Sequence, residues 1–186
     1  MLVEPCEIPD ILRITPKKHG DHRGFFSETW NRHTFVEATG IAAEFVQDNH
    51  SMSSEIGVIR GLHFQSPPYA QGKLLRVSRG AVFDVAVDIR VGSPTYGRHV
   101  AAELSAGNWC QLWIPPGFAH GFCTLEPDTE VQYKVTGYYA PDNDHGLAFD
   151  DPALAIAWPV EPAGAILSDK DRHHPRLKDL PAYFRY

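Results

Sequence analysis

Between Ala81 and Ile89 the chain alternates strictly. Ala81, Phe83, Val85, Val87 and Ile89 are apolar, while the even positions include Asp84 and Asp88. Successive side chains of an extended strand point to opposite faces, so this run predicts a strand with one packed and one polar face. Shorter apolar runs predict further strands at Phe45 to His50, Val58 to Gln65, Lys73 to Ser78, His99 to Leu104, Cys110 to Ile114 and Thr129 to Thr136. The 15 glycines and 15 prolines divide these runs, and many short strands between turn residues are the pattern of an all-β sandwich or barrel. Helix is scarce. Residues 31–39 predict one short helix, capped by Asn31 and ended at Gly40. The charged stretch from Ser168 onward predicts no regular element and is expected to dock on the barrel.

Composition narrows the function classes. With 186 residues, 43% of them hydrophobic, the chain can bury one substantial core. No composition break divides it, so residues 1–186 are expected to form a single domain. The net charge of -6 argues against nucleic acid, whose phosphates demand a basic surface. The opening MLVEPCEIPD has neither a basic nor an apolar leader region, and no apolar run approaches the ~18 residues of a membrane span. A cytoplasmic protein with no membrane partner is expected. Cys6, Cys110 and Cys123 are odd in number and lack CxxC spacing, which predicts buried free thiols rather than a disulfide framework or a zinc site.

The candidate chemistry centres on Arg60-Gly61-Leu62-His63-Phe64-Gln65, followed by Gly72-Lys73. His63 lies between two apolar residues, so its ring projects to the face opposite theirs. An imidazole aimed into a β interior is a candidate acid or base, although a histidine merely satisfied in the interior is the ordinary outcome for one such residue alone. A second histidine, His120, follows Pro115-x-Gly117-x-x, a spacing that turns the chain and presents the ring from the start of the next strand. These elements resemble the double-stranded β-helix, or jelly-roll barrel, of the cupins. Metal-binding cupins carry G-x5-H-x-H followed by a glutamate, so that alternate residues of one strand meet on one ion. This chain has Gly57 and His63 but Gln65 in place of the second histidine. That set is short of ligands, and no metal or other cofactor is expected.

Longer blocks narrow the resemblance. Gly20-Asp21-His22-Arg23-Gly24-Phe25-Phe26-Ser27-Glu28, Phe45-Val46-Gln47-Asp48-Asn49-His50-Ser51, the RGLHFQ segment, QGKLLRV, GAVFDVAVDIR, QLWIPPGFAHGF and Leu167-Ser168-Asp169-Lys170-Asp171 look like the dTDP-4-dehydrorhamnose 3,5-epimerase family, in order and with similar spacing over nearly the whole chain. The resemblance implies a dTDP-4-keto-6-deoxyhexose substrate, whose C3 and C5 hydrogens are both acidified by the C4 ketone. It assigns His63 as general base, Asp171 as its orienting partner, Lys73 as the charge facing the enolate and Tyr133 as the proton donor on the opposite face. It places Arg23, Arg60 and Lys170 on the diphosphate and sugar, with Glu28, Gln47, Asp48, Asn49, His120 and Asp144 as further contacts. Thymine would stack on aromatic residues, for which Phe25, Phe26 and Tyr139 are candidates. The resemblance further implies a homodimer that lends N-terminal residues to the neighbouring site.

Other positions read more plainly. Asp84 is expected to support the site at most, and Asp88 to form a surface pair with Arg90. His50 suits either a pocket wall or a turn. His19, His22, His33, His99 and His145 show no partner spacing, while His173 and His174 fall in a charged tail where solvation is the rule. Three alternative functions stand beside the double epimerase: a C3-only or C5-only epimerase, a divalent-metal cupin dioxygenase, and a non-catalytic nucleotide-sugar binding module.

Overall fold

The computed structural model describes residues 1–186. Four short strands come first, β1 (Leu2–Pro5), β2 (Leu12–Thr15), β3 (His19–Asp21) and β4 (Gly24–Phe26), then the helix α1 (Arg32–Thr39). The body follows as β5 (Gln47–Ser53), β6 (Ile59–Gln65), β7 (Lys73–Arg79), β8 (Ala81–Asp88), β9 (Arg90–Val91), β10 (His99–Ser105), β11 (Gln111–Ile114), β12 (Phe118–Thr124) and β13 (Thr129–Val135). Two small strands, β14 (Asp144–Gly146) and β15 (Phe184–Arg185), complete the set, and the remainder of the tail contains only single 3-10 turns. No helix is long and apolar enough to cross a membrane.

Two antiparallel sheets form the barrel, one ordered β1-β2-β11-β7-β13-β5 and the other β10-β8-β12-β6-β14. This is the all-β, cupin-like jelly roll expected from the strand spacing and block order. All seven predicted strands are present, with ends shifted by a residue or two, and Gln47–Ser53 starts and finishes later than expected. The short helix is also where Asn31 and Gly40 put it. Asn31 Oδ1 accepts from the backbone N–H groups of His33 and Thr34, and Gly40 takes the left-handed conformation that ends the helix.

The polar face of β8 does not face water. Asp84 and Asp88 are both 0% exposed, because the even positions look into the barrel and the odd positions lie beneath the tail. Val82 and Ala86 join the main core cluster with Leu75, Leu112, Phe118 and Val131. Val85, Val87 and Ile89 pack instead with Leu62, Phe64, Leu147 and Leu154. Strands covered on both faces lose the link between polarity and exposure. Asp88 is thus a buried anchor rather than half of a surface pair: it accepts from Arg90 (2.7 Å), Ser93 (2.6 Å) and Thr95 (2.6 Å). Burial raises its pKa, but these donors outweigh it and leave the carboxyl below its usual range. Of the three cysteines only Cys123 is fully buried, and Cys6 and Cys110 are partly exposed, though all are free.

The barrel pinches where β6 meets β12, whose register shifts between His120 and Phe122. Gly61 lies at this crossing with φ +131°, and a Cβ there would sit 2.5 Å from Gly121 Cα and 2.7 Å from the His120 carbonyl oxygen. Both contacts are with backbone, which cannot swing aside. Gly61→Ala is expected to destabilise the fold by about 3 kcal/mol, read as a lower urea midpoint with the slope unchanged.

Candidate active site

Apolar side chains fill one part of the barrel interior, and polar ones line a cavity of about 300 Å³ in another. The cavity arises because alternate residues share a face. On β7, Lys73 precedes the core residues Leu75 and Val77; on β13, Tyr133 pairs with Leu75; on β5, Asn49 pairs with Tyr133. The opposite sheet contributes His63 from β6 and Asp144 from β14. Gln47 and Tyr139 are also at the wall, tied by a bond from the Tyr139 N–H to Gln47 Oε1 (3.2 Å).

His63 Nε2 is 2.5 Å from Asp171 Oδ1. Asp171 arrives from the tail, on a single 3-10 turn. Its other oxygen accepts from Ser168 Oγ (2.8 Å), and its own N–H donates back to that hydroxyl. Burial by itself raises the Asp171 pKa, but hydrogen bonds from His174, His63 and Ser168 and the charge of His63 outweigh it, holding the carboxyl well below the usual range. An ionised Asp171 accepts a proton-bearing Nε2, so Nδ1 is the ring nitrogen with a lone pair free. Burial lowers the His63 pKa below 6.5; Asp171 opposes that shift, and Lys73 and Lys170 add to it.

Lys73 donates to the backbone oxygen of His63 (3.3 Å). Burial pushes its ammonium down to about 8, against the pull of Asp144 and Asp84. The Tyr133 phenol is pushed up, first by burial and then by Asp144, with Arg60 opposing. It therefore keeps its proton at neutral pH. On the same sheet as His63, His120 of β12 places Nε2 2.9 Å from the fully buried Asp84 of the neighbouring strand β8. At the rim, Asp144 Oδ2 accepts from Lys170 (2.5 Å) and Tyr139 OH (3.1 Å).

Not every expected residue reaches the cavity. Asp48 points to the outer face of its sheet, where it pairs with Lys134 (2.8 Å). Arg60 extends toward β5 and donates to Ser53 Oγ and the Met52 carbonyl oxygen. Arg23, Glu28 and Phe26 lie away from His63 within the same chain. Arg23 pairs with Asp21 on the β3–β4 hairpin, Phe26 is 72% exposed, and Glu28 accepts from Asn31 and Thr34. Phe25 packs edge-on against Trp109 beneath Lys18. His50 faces outward and meets Glu130 (3.1 Å).

The structure also adds residues. Ser168 is legible in the sequence only as part of the S-x-K-D block, and Asp84, expected as support, acts through its bond to His120. His174 is not solvated: its side chain is 8% exposed and it lies beside Asp171. His63, Asp171 and His174 bring one ligand-capable atom each within 4.8 Å of one another, a grouping that counting along β6 alone misses. The 2.5 Å approach of His63 to Asp171 is a hydrogen-bond distance, shorter than two ligands keep around one zinc.

The sequence model of dTDP-4-dehydrorhamnose 3,5-epimerase matches residues 5–179. The enzyme of that name from Sinorhizobium fredii is 52% identical over 186 residues, 100% of this chain and 94% of that protein. The one from Escherichia coli K12 is also 52% identical, covering 97% of this chain and 96% of its own. Among solved structures, the dTDP-6-deoxy-D-glucose-3,5-epimerase of Legionella pneumophila, crystallised with dTDP-4-keto-L-rhamnose, superposes with a TM-score of 0.95 at 45% identity, covering 100% of this chain and 98% of that one. By sequence over almost its full length and by fold, the chain belongs to the dTDP-4-dehydrorhamnose 3,5-epimerase family.

Proposed function

We propose that this protein epimerises C3 and C5 of dTDP-4-dehydro-6-deoxy-D-glucose, giving dTDP-4-dehydro-L-rhamnose. The observation that carries the reading is the His63–Asp171 pair, at 2.5 Å, beside a cavity that also holds Lys73 and Tyr133. The C4 ketone makes the hydrogens on both neighbouring carbons acidic. His63 Nδ1 takes one, and Asp171 stabilises the imidazolium that forms. The electron pair moves onto the C4 oxygen, which the Lys73 ammonium stabilises in a partly desolvated site. Tyr133, kept protonated by burial, delivers a proton to the other face of the carbanion. Only protons move, so the mechanism calls on no metal or redox cofactor.

Remote contacts hold the sugar through both exchanges. Gln47, Asn49, Asp144, Tyr139, Lys170 and His120 serve this role from the same chain, His120 being held by Asp84. Arg60, which lies outside the cavity against Ser53 and Met52, is read as the contact for the diphosphate beyond the sugar. Arg23, Glu28 and Phe26 sit on or beside an exposed hairpin, and in this reading they act on the site of a second copy in a homodimer. Light scattering is then expected to give twice the chain mass. We further read residues 1–186 as a single epimerase domain working in the cytoplasm.

Proton NMR in deuterated water with chelator-treated protein tests the activity. Deuterium at both C3 and C5 is the expected result; label at one carbon identifies a mono-epimerase, and no exchange returns the chain to a binding module. Tyr133→Phe separates the two half-reactions. Deuterium exchange is expected to persist while inverted product falls by about 100-fold, and full inversion by this variant would assign the donor elsewhere.

A further inference from the structure

We infer that His174 is a positioning residue for the His63–Asp171 pair, donating from Nε2 to the carboxylate oxygen that His63 uses, and that Gly146 is the residue that makes room for it. His174 Nε2 lies 3.4 Å from Asp171 Oδ1 and His63 Nε2 lies 2.5 Å from the same atom. The two rings meet edge to face, with centroids 5.4 Å apart at 83°. His174 Nε2 is buried and makes no hydrogen bond; a buried N–H is costly unless it is used, and Asp171 Oδ1 is the carboxylate oxygen within ion-pair distance of it, at 3.4 Å. The inference rests on the reading of His63 as base.

The ring is fixed from behind as well. Gly146 is the register partner of His63 on β14, and a Cβ there would fall 2.3 Å from His174 Cε1 and Nε2. Any larger residue at 146 would expel the imidazole. One residue beyond His174, the Pro175 carbonyl oxygen accepts from the Ala148 N–H (2.9 Å), which clamps the tail to the barrel. Asp171 is therefore held by His63 and His174 at one oxygen and by Ser168 at the other. Its carboxylate cannot rotate off His63 when the imidazolium forms.

The donated bond also withdraws charge from Asp171, so the carboxylate supports the His63 proton less strongly. Removing it should make His63 more basic. Besides Asp171 and His174, His63 senses Lys73 and Lys170. The cavity of about 580 Å³ beside His174 adds Asp144, His145, Asp169 and His173. All of these remain in the variants that follow.

His174→Phe fills the space without a donor, and His174→Gln restores an N–H near the position of Nε2. The Phe variant is expected to lose about tenfold in kcat with KM little changed. Its acid limb in kcat/KM should move up by about half a pH unit, and the Gln variant should recover both. Wild-type kcat and an unmoved acid limb in His174→Phe would overturn the inference; so would equal losses in Phe and Gln variants with no pH shift, which mark simple packing. Long-range nitrogen–proton NMR of histidine-labelled wild-type protein gives a second readout that needs neither a folded variant nor turnover. The expected tautomer of His174 carries its proton on Nε2. A proton on Nδ1 alone sinks the proposal even if His63 proves to be the base.

Discussion

His63→Ala is expected to lower kcat by about 1,000-fold, within the 10²–10⁴ range of a general base, and to abolish deuterium uptake at both C3 and C5. The second half of that expectation is the sharper one. Both carbons flank the same ketone, and only one imidazole in the cavity has Nε2 engaged by a buried carboxylate from the tail and Nδ1 left free. His120, the other candidate, is paired to Asp84 on the neighbouring strand. If exchange at either carbon survives in His63→Ala at close to the wild-type rate, that carbon has a different base. Binding of dTDP should be nearly unchanged, because His63 touches the sugar and not the nucleotide in this mechanism.

Much of this is legible in the sequence. Alternation at 81–89 and the short apolar runs locate seven of the body strands but not β12, and the Asn31 and Gly40 caps locate the helix. Two kinds of information were not readable from local pattern. The first is which face of a strand is inside: on β8 both faces are covered, so the charged positions 84 and 88 could not be told from surface residues, and both turned out to be fully buried. β12 is buried at all seven positions, and its run FAHGFCT shows no alternation for the same reason. The second is the tail. Charge predicted solvation for His174, but a loop that docks on a barrel takes its burial from the partner surface rather than from its own composition. Asp48 failed in the opposite sense: it shares the block with Gln47 and Asn49 but lies on the other side of the pleat, since adjacent strand residues cannot share a face.

Lys73→Met is expected to lower kcat/KM by about 100-fold to 1,000-fold, the scale of losing one preorganised oxyanion donor, and to erase the basic limb of the pH profile. The sign follows from which form works. His63 must be neutral to accept a proton, so activity falls as pH drops through its pKa, which burial holds below 6.5. Lys73 must be charged to face the enolate, so activity falls as pH rises through about 8, where burial has pushed its ammonium. The free enzyme should thus show a bell in kcat/KM, and the methionine variant only the acid side. A basic limb near 8 that survives Lys73→Met would belong to another group. Methionine is the informative replacement because it keeps the length and apolar bulk of the stem while removing the ammonium.

The separation of the two members of the pair along the chain has a consequence for how the molecule comes into being. His63 and Asp171 are 108 residues apart, and at ordinary elongation rates of about 5–20 residues per second several seconds pass between their synthesis. During that interval the strands through β13 can pair on the ribosome, yet the base has no partner. Competence arrives with a late event, the seating of a short tail on a barrel already built. The same order run backward makes the tail the natural place for heat to silence the protein first, with loss of turnover preceding collapse of the sheets.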